Sequence, residues 1–201
     1  MTSKAYDCAI FENPPWLKSK RKYKMGLNPT SLDGWITPHP KTEILDHKKQ
    51  LLVKKYMTVV ALTKNSLVGQ KAFAEFTGLD NISTYPDSIA NVASQIAEDV
   101  CIIDTSDSNR FVAGCVCSPS YWDLNKKIGQ TLWNVHEAVD GLNSFLGENI
   151  DRFITGLTYG RPFQRENWFI HGDTKRMHLS PEEDLNNEPT SWFIRTERET
   201  L

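Results

Sequence analysis

Apolar positions fall into distinct textures along this chain. From Lys41 to Leu79 the residues Ile44, Leu51, Leu52, Met57, Val60, Ala61 and Leu62 recur at mixed helical spacings, with Gly69 and Gly78 as punctuation. That spacing predicts helices, with Val68–Phe76 as a second one. After the turn-like Asp80–Pro86, the residues Ile89, Val92, Ala93, Ile96 and Ala97 predict a further amphipathic helix, with Asp87 or Ser88 at its cap. The texture then changes. Asp99–Asp104 and Arg110–Cys117, joined by the polar turn Thr105–Asn109, predict a β-hairpin. Trp122–Gly129 reads as a helical turn closed by glycine. Leu142–Leu157, with Phe145, Leu146, Ile150, Phe153, Ile154 and Leu157, is the clearest amphipathic helix. Two strand-like runs follow within Gln164–Leu201, and their apolar parts, Phe169–Ile170 and Trp192–Phe193–Ile194, predict burial. Helices, hairpin, helix and two strands, in that order, predict the α+β class with an antiparallel sheet flanked by helices. Residues 1–40 read as an extended N-terminal arm and residues 41–201 as a single globular unit.

Composition narrows the setting. With 201 residues, 39% hydrophobic and 24% charged, the chain fits one domain with a real core. A net charge of −2 gives no electrostatic pull toward nucleic acid or an anionic membrane, so neither is expected as a partner. No apolar run approaches the ~18–20 residues that cross a bilayer. The first residues lack the basic-then-apolar plan of a secretion signal, and the expected compartment is the cytoplasm. Of the four cysteines, Cys101, Cys115 and Cys117 lie in strand-like runs and read as small buried hydrophobes; Cys115 and Cys117 would share a face. Paired C-x-x-C spacings that would suggest zinc are missing. The basic run Lys18–Lys22 reads as a solvated arm. His39, between two prolines, reads as structural or exposed, and His47, among Lys48 and Lys49 on the wet face, reads as exposed.

Candidate chemistry concentrates in Gln164–Leu201, which holds His171, His178, Trp168 and Trp192 next to alternating Arg and Glu. A site is expected at the ends of this strand pair. For any single histidine the ordinary role is a hydrogen-bonded structural one, and His178, in a polar loop, is expected to be solvated. Both tryptophans are expected in the core. Glu197 has an ordinary role as an ion-pair partner of Arg195 or Arg198. Ser118-Pro119-Ser120 lacks the G-x-S-x-G elbow of a serine hydrolase and reads as a strand-ending turn.

Six blocks stand in an order and spacing that resemble one family: MGLNPTSLDGWI at Met25–Ile36, AEDVCII at Ala97–Ile103, VAGCVCSPSYWDLNKKIG at Val112–Gly129, VHEAVDG at Val135–Gly141, RENW at Arg165–Trp168 and RTERETL at Arg195–Leu201. The family includes the α subunit of haem-dependent oxidative N-demethylase, of the dimethylamine monooxygenase type. The resemblance implies a PAS-like antiparallel sheet flanked by helices, binding haem b. It implies oxidation of a small secondary or tertiary alkylamine with release of formaldehyde. Electrons would come from a partner reductase carrying FMN and a 2Fe–2S cluster. His136 lies in the block matching the family's histidine motif and is the first candidate for iron; His171 is the second, as ligand or as acid–base group. Glu197 matches the glutamate of the family's R-x-E-R block, a carboxylate able to bind a substrate ammonium or take its proton. Arg161, Arg165, Arg195 and Arg198 are candidate partners for haem propionates, and Trp168 for the haem wall. At Val135–Gly141 this chain reads HEAVDG where members usually carry a proline-containing H-x-P-V-P-G. Members also continue beyond the ERETL block, so the reading includes a C-terminally shortened domain. The competing function is a non-catalytic haem or small-molecule binding or sensing domain of the same fold.

Overall fold

A computed structural model describes residues 24–79, 81–180 and 191–201. The run Lys18–Lys22, Cys8, Asp80 and residues 181–190 lie outside the described residues. The architecture is α+β: two small antiparallel sheets flanked by helices. Strand β2 (Val60–Leu62), β3 (Val100–Asp104) and β4 (Arg110–Cys115) form one sheet in the order β2-β4-β3. Strand β1 (Asn28–Pro29), β5 (Phe163–His171) and β6 (Phe193–Thr200) form the other, in the order β1-β5-β6. Thus Asn28–Pro29, within the segment read as an arm, pairs with Phe163 and Gln164.

The predicted hairpin is β3–β4, with Val100 opposite Cys115 and Asp104 opposite Arg110. Its turn closes through Ser108 and Asn109, both left-handed at φ 53° and 52°. One face of this sheet is sealed by α1 (Thr42–Lys54), α3 (Leu67–Thr77) and α4 (Ser88–Ala93); α2 (Tyr56–Val59) leads directly into β2. Leu52, Ile89, Val92 and Ala93 meet Val60, Val100, Ala113, Cys115 and Cys117 there in one cluster. Cys115 and Cys117 share this face as expected. A smaller cluster on the opposite face joins Ala61, Phe111 and Val116 to Leu124 of α5 (Leu124–Lys127). Gly114 permits that approach: a Cβ there would stand 2.6 Å from Leu124 Cδ1 and 2.9 Å from Phe111 Cζ.

Three expectations are corrected. Val60–Ala61–Leu62 is a strand, because it can ladder against Cys115, Gly114 and Ala113, and that pairing overrides the helical spacing. The long amphipathic helix is broken: a π turn at Asn143–Gly147 precedes α7 (Glu148–Thr155). Trp133, from α6 (Leu132–His136), packs on the last residue of that turn: a Cβ at Gly147 would be 2.3 Å from its ring, so a residue without one is needed there. Finally, β5 and β6 pair over eight positions, from Gln164↔Thr200 to His171↔Phe193, but one face of the ribbon is open. Trp168 is 44% exposed and Ile170 47%, and Trp192, Phe193 and Ile194 are exposed as well. Apolar residues at consecutive strand positions must point to opposite faces, so Trp168 and Ile170 stand outside while Phe169 and His171 turn in; Phe193, though opposite His171, stays partly exposed at the end of the ribbon.

Candidate functional site

The alternation that exposes Trp168 and Ile170 turns the other set inward: Arg165, Asn167, Phe169 and His171 on β5, and Arg195, Glu197 and Glu199 on β6. These face the end of the β3–β4 hairpin and α6. Two polar groupings result.

The first surrounds Glu197. Its Oε1 accepts from Ser120 Oγ at 2.7 Å and stands 2.6 Å from Arg195 Nη2. The Arg195 guanidinium also donates to the carbonyls of Ser118 and, at 2.9 Å, Arg176. The turn carrying Ser120 is held in an unusual conformation. Tyr121 has φ 64°, a left-handed value costly for a residue with a bulky side chain. It is pinned by two backbone bonds to the neighbouring loop, Tyr121 N to His178 O at 2.8 Å and His178 N to Pro119 O at 3.0 Å. The rings of Tyr121, His171 and His178 close a triangle, with centroids 4.8, 4.3 and 5.4 Å apart. His171 is 2% exposed and His178 0%, which corrects the expectation of a solvated His178. His178 Nε2 lies 3.0 Å from Asp173 Oδ1.

The second grouping surrounds His136, at the end of α6. Arg165 contacts Glu199 Oε2 through both Nε and Nη2 at 2.6 Å, and Asn167 Nδ2 lies 3.5 Å from the same oxygen. The His136 imidazole is biased toward its neutral form, first by burial and then by the Arg165 guanidinium, with Glu199 opposing. Its ring makes no hydrogen bond to any described residue. Cys101 bounds this region from β3. Its thiol is pushed up to about 12, first by lost solvation and then by the Asp99 and Glu199 carboxylates, although the residue keeps accessible surface.

Because folded His136 prefers the neutral form, the unfolded chain binds more protons between its lowered pKa and about 6.5. Stability is therefore full above about pH 6.5 and declines as pH falls through that window. His136→Asn should flatten this part of the profile of urea midpoint against pH; an unchanged slope would show that His136 is not buried as described.

The structure thus brings Arg165 into the electrostatic surroundings of His136, Arg195 to Glu197, and His171 to Tyr121 and His178. Arg198 turns elsewhere, toward Thr37 Oγ1 at 3.1 Å and Glu98 Oε1 at 3.4 Å. Trp168 sits on the open face of the ribbon, and Arg161 lines a different cavity, among whose walls there is no histidine. Sequence reasoning missed Glu199, Asn167, Ser120, Tyr121 and Cys101. Glu199 was findable as the next inward position after Glu197; the left-handed Tyr121 carries no local signal.

Together, the fold and these groupings define an α+β protein with a neutral-biased imidazole near a guanidinium–carboxylate pair. That donor set fits a haem: an uncommitted neutral imidazole is the usual axial ligand, and a guanidinium suits a propionate. The chain belongs to the haem-dependent oxidative N-demethylase, alpha subunit-like family, whose model matches residues 36–201. Haem dependence and assembly with other subunits go with that family description. No curated protein matches the sequence. No helix among the described residues is long and apolar enough to cross a membrane.

Proposed function

We propose that this chain is the haem-carrying subunit of a multi-subunit N-demethylase acting on a small alkylamine. The observation that carries the proposal is His136: half-buried, biased to the neutral state, without a hydrogen-bond partner among the described residues, and within the electrostatic reach of Arg165. His136 would hold the iron and Arg165 a propionate; Cys101 and Asn167 would border the group. Bound haem b would supply the one-electron and O2 chemistry that side chains lack. Overall, one N-methyl carbon leaves as formaldehyde, O2 gives that oxygen atom and one water, and two electrons and two protons are consumed. The electrons come from a partner reductase with FMN and a 2Fe–2S cluster.

Within the chain, Glu197 provides a carboxylate for the substrate ammonium or for its proton, ion-paired with Arg195 and oriented by Ser120. His171, buried against Tyr121, supports that turn. The free thiols Cys101, Cys115 and Cys117 are consistent with a cytoplasmic setting. A second reading, a non-catalytic haem-binding or sensing domain of PAS-like fold, is favoured by one observation: Arg195 already balances the charge of Glu197.

The test is an absorption titration of the purified chain with haemin. A Soret band that shifts on reduction and is lost in His136→Ala is the expected result. A band unaffected by His136→Ala removes this ligand assignment, and no band at any loading removes the haem reading for this chain.

A further inference from the structure

Helix α3, the turn after Leu32 and the turn at 157–162 border a hollow of about 620 Å³ that is open to solvent. This is within the roughly 300–1,000 Å³ of small-molecule sites. Its wall is aromatic and continuous. Trp35 meets Phe76 edge-on at 5.0 Å and Phe73 at 6.2 Å, and Phe76 meets Tyr159 at 5.8 Å. Phe73 and Phe76 reach it together because they lie three residues apart on one helix.

Two charged side chains border the cavity, Glu75 from the helix and Arg161 from the turn. Neither makes a hydrogen bond or an ion pair with any described residue, and they are not paired with each other. Elsewhere around the ribbon Arg165, Arg195 and Arg198 each have a carboxylate partner. An aromatic hollow bordered by one uncommitted charge of each sign is complementary to a small molecule with an apolar body and both charges.

We propose that this cavity binds an apolar zwitterion, an α-amino acid with an aromatic or similarly bulky side chain. Its side chain lies in the hollow against the exposed faces of Phe76 and Tyr159, which Trp35 and Phe73 back. Its carboxylate lies on the Arg161 guanidinium, a geometry suited to two parallel hydrogen bonds. Its ammonium is placed between Glu75 and the electron-rich ring faces. The site is independent of the iron-binding role given to His136, and it would let the level of an amino acid be sensed by the protein.

The full chain is titrated calorimetrically with L-phenylalanine, with 3-phenylpropionate and with phenethylamine, which keep one charge each. Phenylalanine should bind at least about tenfold more tightly than either analogue, the size of one charge-assisted hydrogen bond. Arg161→Gln should bring phenylalanine down to the level of phenethylamine, and Glu75→Gln down to that of phenylpropionate. Both residues are exposed, so folding is not at stake. Equal binding of all three compounds, no binding of any, or variants without effect overturns the proposal. So does loss of phenylalanine binding after saturation with haemin, which would give the cavity and Arg161 to the propionate-bearing group.

Discussion

Replacing Lys48 by methionine is expected to lower the unfolding free energy by about 2–4 kcal/mol, because it strips two carbonyls of a buried charged donor and takes the cation from partly exposed Asp99. Lys48 is 1% exposed, and its ammonium donates to the carbonyls of Ile96, at 3.1 Å, and Glu98 and lies 3.7 Å from Asp99 Oδ1. Methionine fills much of the stem's volume but leaves two carbonyls without a donor and Asp99 without its cation. Urea unfolding measures this directly; a loss below about 1 kcal/mol would mean that water replaces the ammonium without penalty. The change should also reach the site. Asp99 Oδ2 accepts from Ser118 N at 2.7 Å, Ser118 O accepts from Arg195, and Arg195 holds Glu197. A continuous polar chain thus runs from the core of the helical layer to the inward carboxylate.

Lys48 also shows where sequence reasoning stops. Beside His47 and Lys49 it reads as part of a wet face. Yet it stands four residues after Ile44 and four before Leu52, on the apolar stripe of α1. The signal was present, but its partners lie 48 to 51 positions away and cannot be seen locally. The β3–β4 hairpin was legible because its two runs and turn are contiguous. For β5 and β6 the pairing was legible and the buried face was not, since WFIH and WFI put apolar side chains on both faces. His178 looked polar by its neighbours and is buried by a non-local contact with the Pro119–Tyr121 turn. The family blocks were readable as blocks; that Arg195 serves Glu197 and Arg165 serves Glu199 depends on register and needed the fold.

Replacing Glu197 by glutamine is expected to cut amine turnover, in the haem-loaded chain with its reductant, by about 100-fold or more while haem loading stays unchanged. Glutamine keeps the length of the side chain and an oxygen for Ser120 Oγ, so the turn and the ribbon should persist. What disappears is the negative charge, and with it the 2.6 Å ion pair to Arg195. Arg195 remains anchored on the carbonyls of Ser118 and Arg176, so the new amide faces a fixed cation and cannot attract an ammonium or take its proton. Serving only as a binding site for the ammonium, Glu197 would leave the loss mostly in KM; taking the proton in the rate-limiting step, it would put the loss in kcat. Ser120→Ala separates orientation from charge, because it removes a 2.7 Å hydrogen bond and leaves the Arg195 ion pair in place. Its effect should be about tenfold, smaller than that of Glu197→Gln, and rescued by Ser120→Thr if the hydroxyl fits. Turnover that survives Glu197→Gln within a factor of about three would reduce Glu197 to a structural partner of Arg195 and favour the non-catalytic reading of the domain.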